Sequence, residues 1–140
     1  MHGAVARFLD HLRVERNLSP RTLEAYGRDL RCMTAELARH QVTRPGEVSA
    51  VHLARWQRAL ATQGLAAASQ IRALAAARQF FAFLVRRREL AHDPTQAVSA
   101  PKRRRGLPKV VSLGEARSLV EAPAGDTPRA LRDRAMLELL

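Results

Sequence analysis

Between Ala66 and Glu89 the chain carries no proline and no glycine and is rich in alanine, leucine and arginine. Strands seldom exceed about ten residues, and the composition favours helix throughout, so this stretch predicts one long helix, helix D. Ile71, Leu74, Phe81 and Leu84 recur at helical spacing and mark its core face. Arg72, Ala76, Gln79 and Phe83 step along a different face, where small and polar residues would let the helix approach a ligand closely. Hydrophobic residues make up 46% of the chain but aromatics only 4%, so Ala, Leu and Val must build most of the core, which again favours helices over strands.

The remaining segments supply partners for helix D. Val5, Phe8, Leu9 and Leu12 predict helix A, with Asn17 as its stop signal. Ser19 before Pro20 is a cap followed by a proline whose missing N–H costs nothing at the first helical position. Helix B follows with a core stripe of Leu23, Tyr26, Leu30, Met33 and Leu37, and Arg21, Arg28 and Arg39 lie off that stripe. Gln41 to Val48, with Pro45 and Gly46, reads as a loop; Ser49 caps helix C, whose buried side is Leu53, Trp56 and Leu60 and whose closing glycine is Gly64. Beyond Leu90 the helical period is lost, and Pro94, Pro101, Pro108, Pro123 and Pro128 account for most of the seven prolines, so Ala91 to Val111 reads as a linker. Ser112 and Glu115 have capping-box spacing and open a short helix E to about Val120. Thr127 and Pro128 open helix F through Leu131, Ala135, Met136, Leu139 and Leu140, and the chain stops inside it.

Lys and Arg number 24 against 13 Asp and Glu, a net charge of +11 that calls for a polyanionic partner. Most of the excess is arginine, whose planar fork suits phosphates and guanine edges, so nucleic acid is favoured over a membrane surface; a very soluble basic protein without such a partner is the alternative. The longest strongly apolar run, Phe80 to Val85, is far short of the roughly 20 residues that span a bilayer. The N-terminus lacks a signal pattern, and the single cysteine, Cys32, fits a reducing compartment, so a cytoplasmic protein is expected. No HExxH, glycine-rich phosphate loop or Ser, His and Asp arrangement occurs, and no metal, cofactor or small-molecule substrate is expected. His2, His11, His40, His52 and His92 lie on separate segments and read as surface or cap residues. Tyr26 sits in a core stripe, which favours packing over nucleophilic chemistry.

The order and spacing of several segments resemble Xer-type tyrosine recombinases and phage integrases. Asn17-Leu-Ser-Pro-Arg-Thr-Leu-Glu-Ala-Tyr26, continuing Gly-Arg-Asp-Leu30, resembles the helix B signature of that family. Ala77-Arg-Gln-Phe-Phe-Ala-Phe-Leu84 resembles its helix D, and Asp93-Pro94 the loop that follows. Leu107-Pro-Lys109 with Leu131-Arg-Asp-Arg-Ala-Met-Leu-Glu-Leu-Leu140 is similar to the opening of the catalytic domain in XerD-like proteins, although XerC-like and phage-integrase readings stay open. The resemblance implies an all-α, SAM-like core-binding helical bundle over residues 1–100, a basic linker over 101–111, and the first helices of a truncated catalytic domain over 112–140. It also implies that the catalytic arginine, lysine, histidine-arginine motif and tyrosine nucleophile come later than Leu140, leaving no catalytic residue here and binding without cleavage.

Sequence-specific binding to double-stranded DNA is the implied function, within a parent that rejoins strands through a phosphotyrosine intermediate for chromosome dimer resolution or integration. Other recombinase subunits in a synaptic tetramer, including a Xer partner, are the implied protein partners. Helices B and D would face the major groove, with Arg21, Thr22 and Arg28 from B and Ser69, Gln70, Arg72, Arg78 and Gln79 from D as contacts. Alternatives stand beside three of them: Thr22 supports the helix cap, Arg28 pairs with Glu24, or Arg78 ties helix D to a neighbouring element. Lys102, Arg103, Arg104, Arg105 and Lys109 would cross the phosphate backbone, or else form a solvated tether. Two rival classes remain, a complete small helical DNA-binding regulator and a basic helical module such as a ribosome-associated protein.

Overall fold

The computed structural model describes residues 1–101 and 112–139. Among these the fold is all-α, with α1 His2–Val14, α2 Pro20–Arg39, α3 Ala50–Thr62, α4 Ala67–Arg86, α5 Leu113–Glu121 and α6 Pro128–Glu138, and a single 3-10 turn at Pro45–Glu47. Two compact units result, one holding α1 to α4 and the other α5 and α6. No described helix is long and apolar enough to cross a membrane.

The helix starts follow the capping chemistry of the sequence. Ser19 accepts a hydrogen bond from the Thr22 amide at 3.3 Å, Ser112 from Glu115 at 3.3 Å, and Thr127 from Ala130 at 3.2 Å. At α3 the cap is His52, whose Nδ1 accepts from the Ser49 amide at 3.2 Å. The Glu115 carboxylate accepts from the Ser112 hydroxyl and amide, and those donors hold its pKa below the ordinary carboxylate value. Glu47 is lowered in the same way by the amides of Arg44 and Thr43.

Three of the first unit's four helices end by one device. Val42 donates to the Leu37 carbonyl, Leu65 to Leu60 and Glu89 to Leu84, each across a residue with positive φ: Gln41 at 61°, Gly64 at 75° and Arg88 at 58°. Asn17, the expected stop of the first helix, also has positive φ, at 46°. Of these four, Gly64 alone takes that conformation without a Cβ penalty.

The core of the first unit forms where α2 packs on α1, α3 and α4, α3 on α4, and α1 on α4. Trp56, Phe8, Phe80, Phe81, Leu30, Met33 and Leu74 are among its large fully buried side chains. Phe8 meets Phe80 edge-on at 5.6 Å between centroids and Phe83 at 5.5 Å, while Phe80 meets Phe81 at 5.1 Å.

Two readings of the sequence need correction. Ala76 and Phe83, expected on the open face of helix D, are buried at 0% and 4% exposure, and Ile71, expected in the core, is only half-buried. The cause is that α4 packs against three helices, so its buried arc covers about half the helix at about 100° per residue. The segment just after α4 is also not a free linker. Thr95 and Val98 are buried, the Thr95 amide and hydroxyl both donate to Asp93 Oδ1 at 2.8 and 2.7 Å, and Gln57 of α3 reaches the Ser99 carbonyl at 3.2 Å. Side-chain and backbone hydrogen bonds hold it, and these leave no periodic hydrophobic pattern.

In the second unit α5 packs on α6, and Arg134 donates to the Pro123 carbonyl at 2.9 Å. Ala130 is buried, whereas Leu113, Leu119, Leu131, Met136 and Leu139 are exposed.

Two substitutions of opposite sign test this account by urea unfolding. Phe80→Ala removes a ring packed on Phe8 and Phe81 and is expected to destabilise the first unit by about 3–5 kcal/mol. Gln41→Gly relieves a Cβ at positive φ and is expected to stabilise it by up to about 1 kcal/mol.

Candidate nucleic-acid interface

Rotation of α4 is fixed by its buried half, and this decides which residues it turns outward. Arg72, Ala75, Gln79, Ala82 and Arg86 fall at steps of three and four within an arc of about 80°, and none is buried. The strip therefore carries a cation at each end, an amide in the middle, and alanines between them that leave the helix surface low.

At one end, a cleft of about 360 Å³ is lined by Arg28, Asp29 and Cys32 of α2, Leu60, Gln63 and Leu65, and Ser69, Arg72 and Ala73 of α4. Asp29 is 6% exposed and faces Arg72. The pair is bidentate, with Arg72 Nε donating to Oδ2 at 2.9 Å and Nη2 to Oδ1 at 3.1 Å. These bonds raise the Arg72 pKa above its already high ordinary value against the opposing effect of desolvation, so the guanidinium stays charged. The Arg72 side chain remains 41% exposed.

In the middle, Gln79 Nε2 donates to the Tyr26 hydroxyl at 3.1 Å, which bridges α4 to the half-buried edge of the α2 stripe. At the far end, an open cleft of about 580 Å³ is lined by Arg16 after α1, by Arg78, Gln79, Ala82 and Arg86 of α4, and by Thr95 and Gln96 from the segment that folds back. Arg78 donates through Nη2 to the Val98 carbonyl at 2.7 Å.

Arg28, Ser69 and Arg72 are thus brought together in one cleft, and Arg78 and Gln79 in the other, with Tyr26 held to Gln79 by its hydroxyl. Arg21 and Thr22 lie at the start of α2 and line neither cleft; the Thr22 hydroxyl is 2.9 Å from the Ser19 hydroxyl, in the cap. The Gln70 amide is engaged by the Leu65 carbonyl at 2.7 Å, at the turn into α4. No Arg28–Glu24 ion pair forms among the described residues. Lys102, Arg103, Arg104, Arg105 and Lys109 lie outside the described residues. Sequence reasoning missed Asp29, Arg16 and Arg86. The spacing 72, 75, 79, 82, 86 carried the signal for Arg86, whereas nothing local singles out the Asp29 partnership across two helices.

A four-helix bundle with a polar, arginine-bearing strip on its fourth helix is a class of domain, and the comparisons identify which one. Residues 5–88 match the family described as phage integrase, N-terminal SAM-like domain, and the chain belongs to that family.

The chain is 42% identical over 142 residues to the tyrosine recombinase XerC of Xylella fastidiosa (strain 9a5c), covering 99% of this chain and 47% of that protein. It is 39% identical over 137 residues to the tyrosine recombinase XerC of Xanthomonas campestris pv. campestris (strain B100), covering 98% and 42%. Identity is 34% over 141 residues to the tyrosine recombinase XerD of Listeria monocytogenes serotype 4b (strain F2365), covering 100% and 48%. The chain spans about half the length of the curated relatives it matches.

The bond from Arg78 to Val98 anchors the returning segment to α4. Arg78→Ala is expected to lower stability by about 1–2 kcal/mol and to speed amide exchange around Val98. Denaturation and hydrogen exchange followed together check both effects.

Proposed function

We propose that the α1 to α4 unit binds double-stranded DNA as the N-terminal part of a site-specific tyrosine recombinase. The observation that carries this reading is the strip from the Arg28 and Arg72 cleft through Gln79 to the Arg16, Arg78 and Arg86 cleft. It runs along one side of the bundle of a chain with net charge +11. A polyanion is the partner such a surface fits, and the low alanine surface between the cations allows a backbone groove to approach. Ser69, Arg72 and Gln79 are the proposed base-reaching groups. Arg28, Arg86 and Arg16 are proposed phosphate contacts, together with the run Lys102 to Arg105 and Lys109. Arg21 and Thr22, at the start of α2, would flank this surface, and Gln70 would support it through the turn into α4.

On this reading the whole protein cleaves and rejoins DNA strands through a phosphotyrosine intermediate, without metal or nucleotide cofactor. It acts with other recombinase subunits in a synaptic tetramer, in the cytoplasm, in chromosome dimer resolution or integration. The DNA-binding step is the one this chain's own residues serve.

Titration against a duplex carrying a recombination site and against a scrambled duplex, at several salt concentrations, tests the proposal. Binding is expected to both, with log K falling linearly in log salt. Arg86→Ala is expected to weaken both duplexes equally and flatten the slope by about 0.9, the value for one neutralised phosphate. Replacing Lys102, Arg103, Arg104 and Arg105 together by Ala is expected to flatten it by about 0.9 for every phosphate those side chains neutralise in the wild type. Affinity independent of salt, or binding to structured RNA in preference to either duplex, would overturn the proposal.

A further inference from the structure

Asp29 is an acid set into a basic surface, and its geometry gives that position a use. A carboxylate beside a DNA-facing strip repels phosphate, so its presence there needs a reason. Holding α2 to α4 is a weak one, because a desolvated ion pair contributes little net stability compared with an apolar contact of similar volume. The two partners also differ sharply in exposure, with the Asp29 side chain at 7% and the Arg72 side chain at 41%. The acid lies underneath and the guanidinium lies at the surface.

The bonds between them leave a particular edge open. A guanidinium has two edges that each offer a pair of parallel N–H donors, one formed by Nε with Nη2 and one by Nη2 with Nη1. Asp29 takes the first, through Nε at 2.9 Å and Nη2 at 3.1 Å. The end edge, one N–H of Nη1 and the second N–H of Nη2, keeps its donors among the described residues. Two fixed bonds on one edge set the plane and direction of the other, because the group is rigid and planar. Bidentate recognition of O6 and N7 of guanine requires two parallel donors in a fixed plane, whereas a phosphate accepts a cation from many directions.

We propose that Asp29 is a positioning residue for DNA sequence reading: it orients Arg72 so that the end edge of the guanidinium addresses a guanine in the major groove. This rests on the DNA-binding reading above. Asp29 touches no base; it lowers the freedom Arg72 would lose on binding and makes the contact directional. Its negative charge also lessens the general attraction of this end of the strip for phosphate, so that Arg72 favours a matching base over an unmatched backbone.

The test selects duplexes from a random-sequence pool with the full chain, then titrates the selected duplex and a scrambled version with wild type, Asp29→Asn, Arg72→Lys, Arg72→Ala and the double variant Asp29→Asn/Arg72→Ala. Circular dichroism melting reports on folding. Wild type is expected to prefer the selected duplex, with a guanine specified in it. Asp29→Asn is expected to lower that preference roughly tenfold, the low end of what a bidentate base contact discriminates, while binding the scrambled duplex as well as wild type or better. A merely structural strut would weaken both duplexes alike. Arg72→Lys, which keeps the charge and loses the fork, is expected to lose the preference too, and the double variant to be no worse than Arg72→Ala. Wild-type preference retained in folded Asp29→Asn would overturn the proposal. If that variant melts below the assay temperature, preference retained in Arg72→Lys overturns it instead. Absence of duplex binding by wild type would overturn the DNA-binding reading, an outcome visible before any variant is compared.

Discussion

Everything on the surface of the first unit depends on how α4 is seated. Phe80, Phe81, Phe83, Leu74 and Leu84 are buried with Ala73, Ala76 and Ala77, and together they occupy about half the helix circumference. Toward α1 the packing is aromatic, with Phe8 meeting Phe80 and Phe83. Turning α4 by one residue would bring a buried ring to the surface and an arginine into the core. Burial of apolar side chains therefore fixes not only that the bundle forms but which side of α4 faces outward.

The connections reinforce this arrangement at local cost. Gln41 and Arg88 accept positive φ, a conformation disfavoured by about 1–2 kcal/mol for a residue with a Cβ, because the turn returns the chain at once toward the bundle. Val42, directly after Gln41, is buried, and Leu65 after Gly64 packs on the core edge, so these two turns close with an apolar residue over the end of the helix. After Arg88 the chain continues into the segment where Thr95 and Val98 are buried. That segment completes the wall of the cleft in which Arg16, Arg78 and Arg86 gather. The same turn chemistry that ends α4 thus helps to shape the basic end of the strip.

Features carried by near neighbours in sequence were legible, and those carried by partners across helices were not. Ser19 with Pro20, Ser112 with Glu115 and Thr127 with Pro128 announce helix starts because capping involves residues within one turn. Core stripes of α1 and α3 follow from periodicity, as do Leu30, Met33 and Leu37 of α2, whereas Leu23 and Tyr26 of that stripe are half-buried. Helix α4 defeats the same rule, since its buried residues cover about half its circumference and a narrow stripe drawn through Arg72 and Gln79 drifts onto Ala76 and Phe83. The Asp29 and Arg72 pair joins residues 43 apart in sequence, and the Arg78 bond to Val98 spans 20; neither has a local signature. The resemblance carried the fold and the family, while the arrangement of individual donors had to come from the bundle itself.

The cations along the strip are held in different ways, and under the proposed function that difference divides their work. Arg72 is gripped through one edge by Asp29, and Arg78 through one nitrogen by the Val98 carbonyl, whereas no hydrogen bond or ion pair of Arg28 or Arg86 is formed among the described residues. A loosely held arginine loses rotamer freedom when it meets a fixed acceptor, on the order of 1–2 kcal/mol, and it follows a phosphate wherever the backbone passes. Such a group contributes affinity with little discrimination. A gripped arginine has already lost that freedom on folding, so its donors point one way whether or not DNA is present, and a misplaced acceptor gains nothing from it. Preorganisation converts the same charge from general attraction into a geometric condition. On this bundle the condition is imposed by a single carboxylate, placed beneath the surface by the seating of α2 against α4.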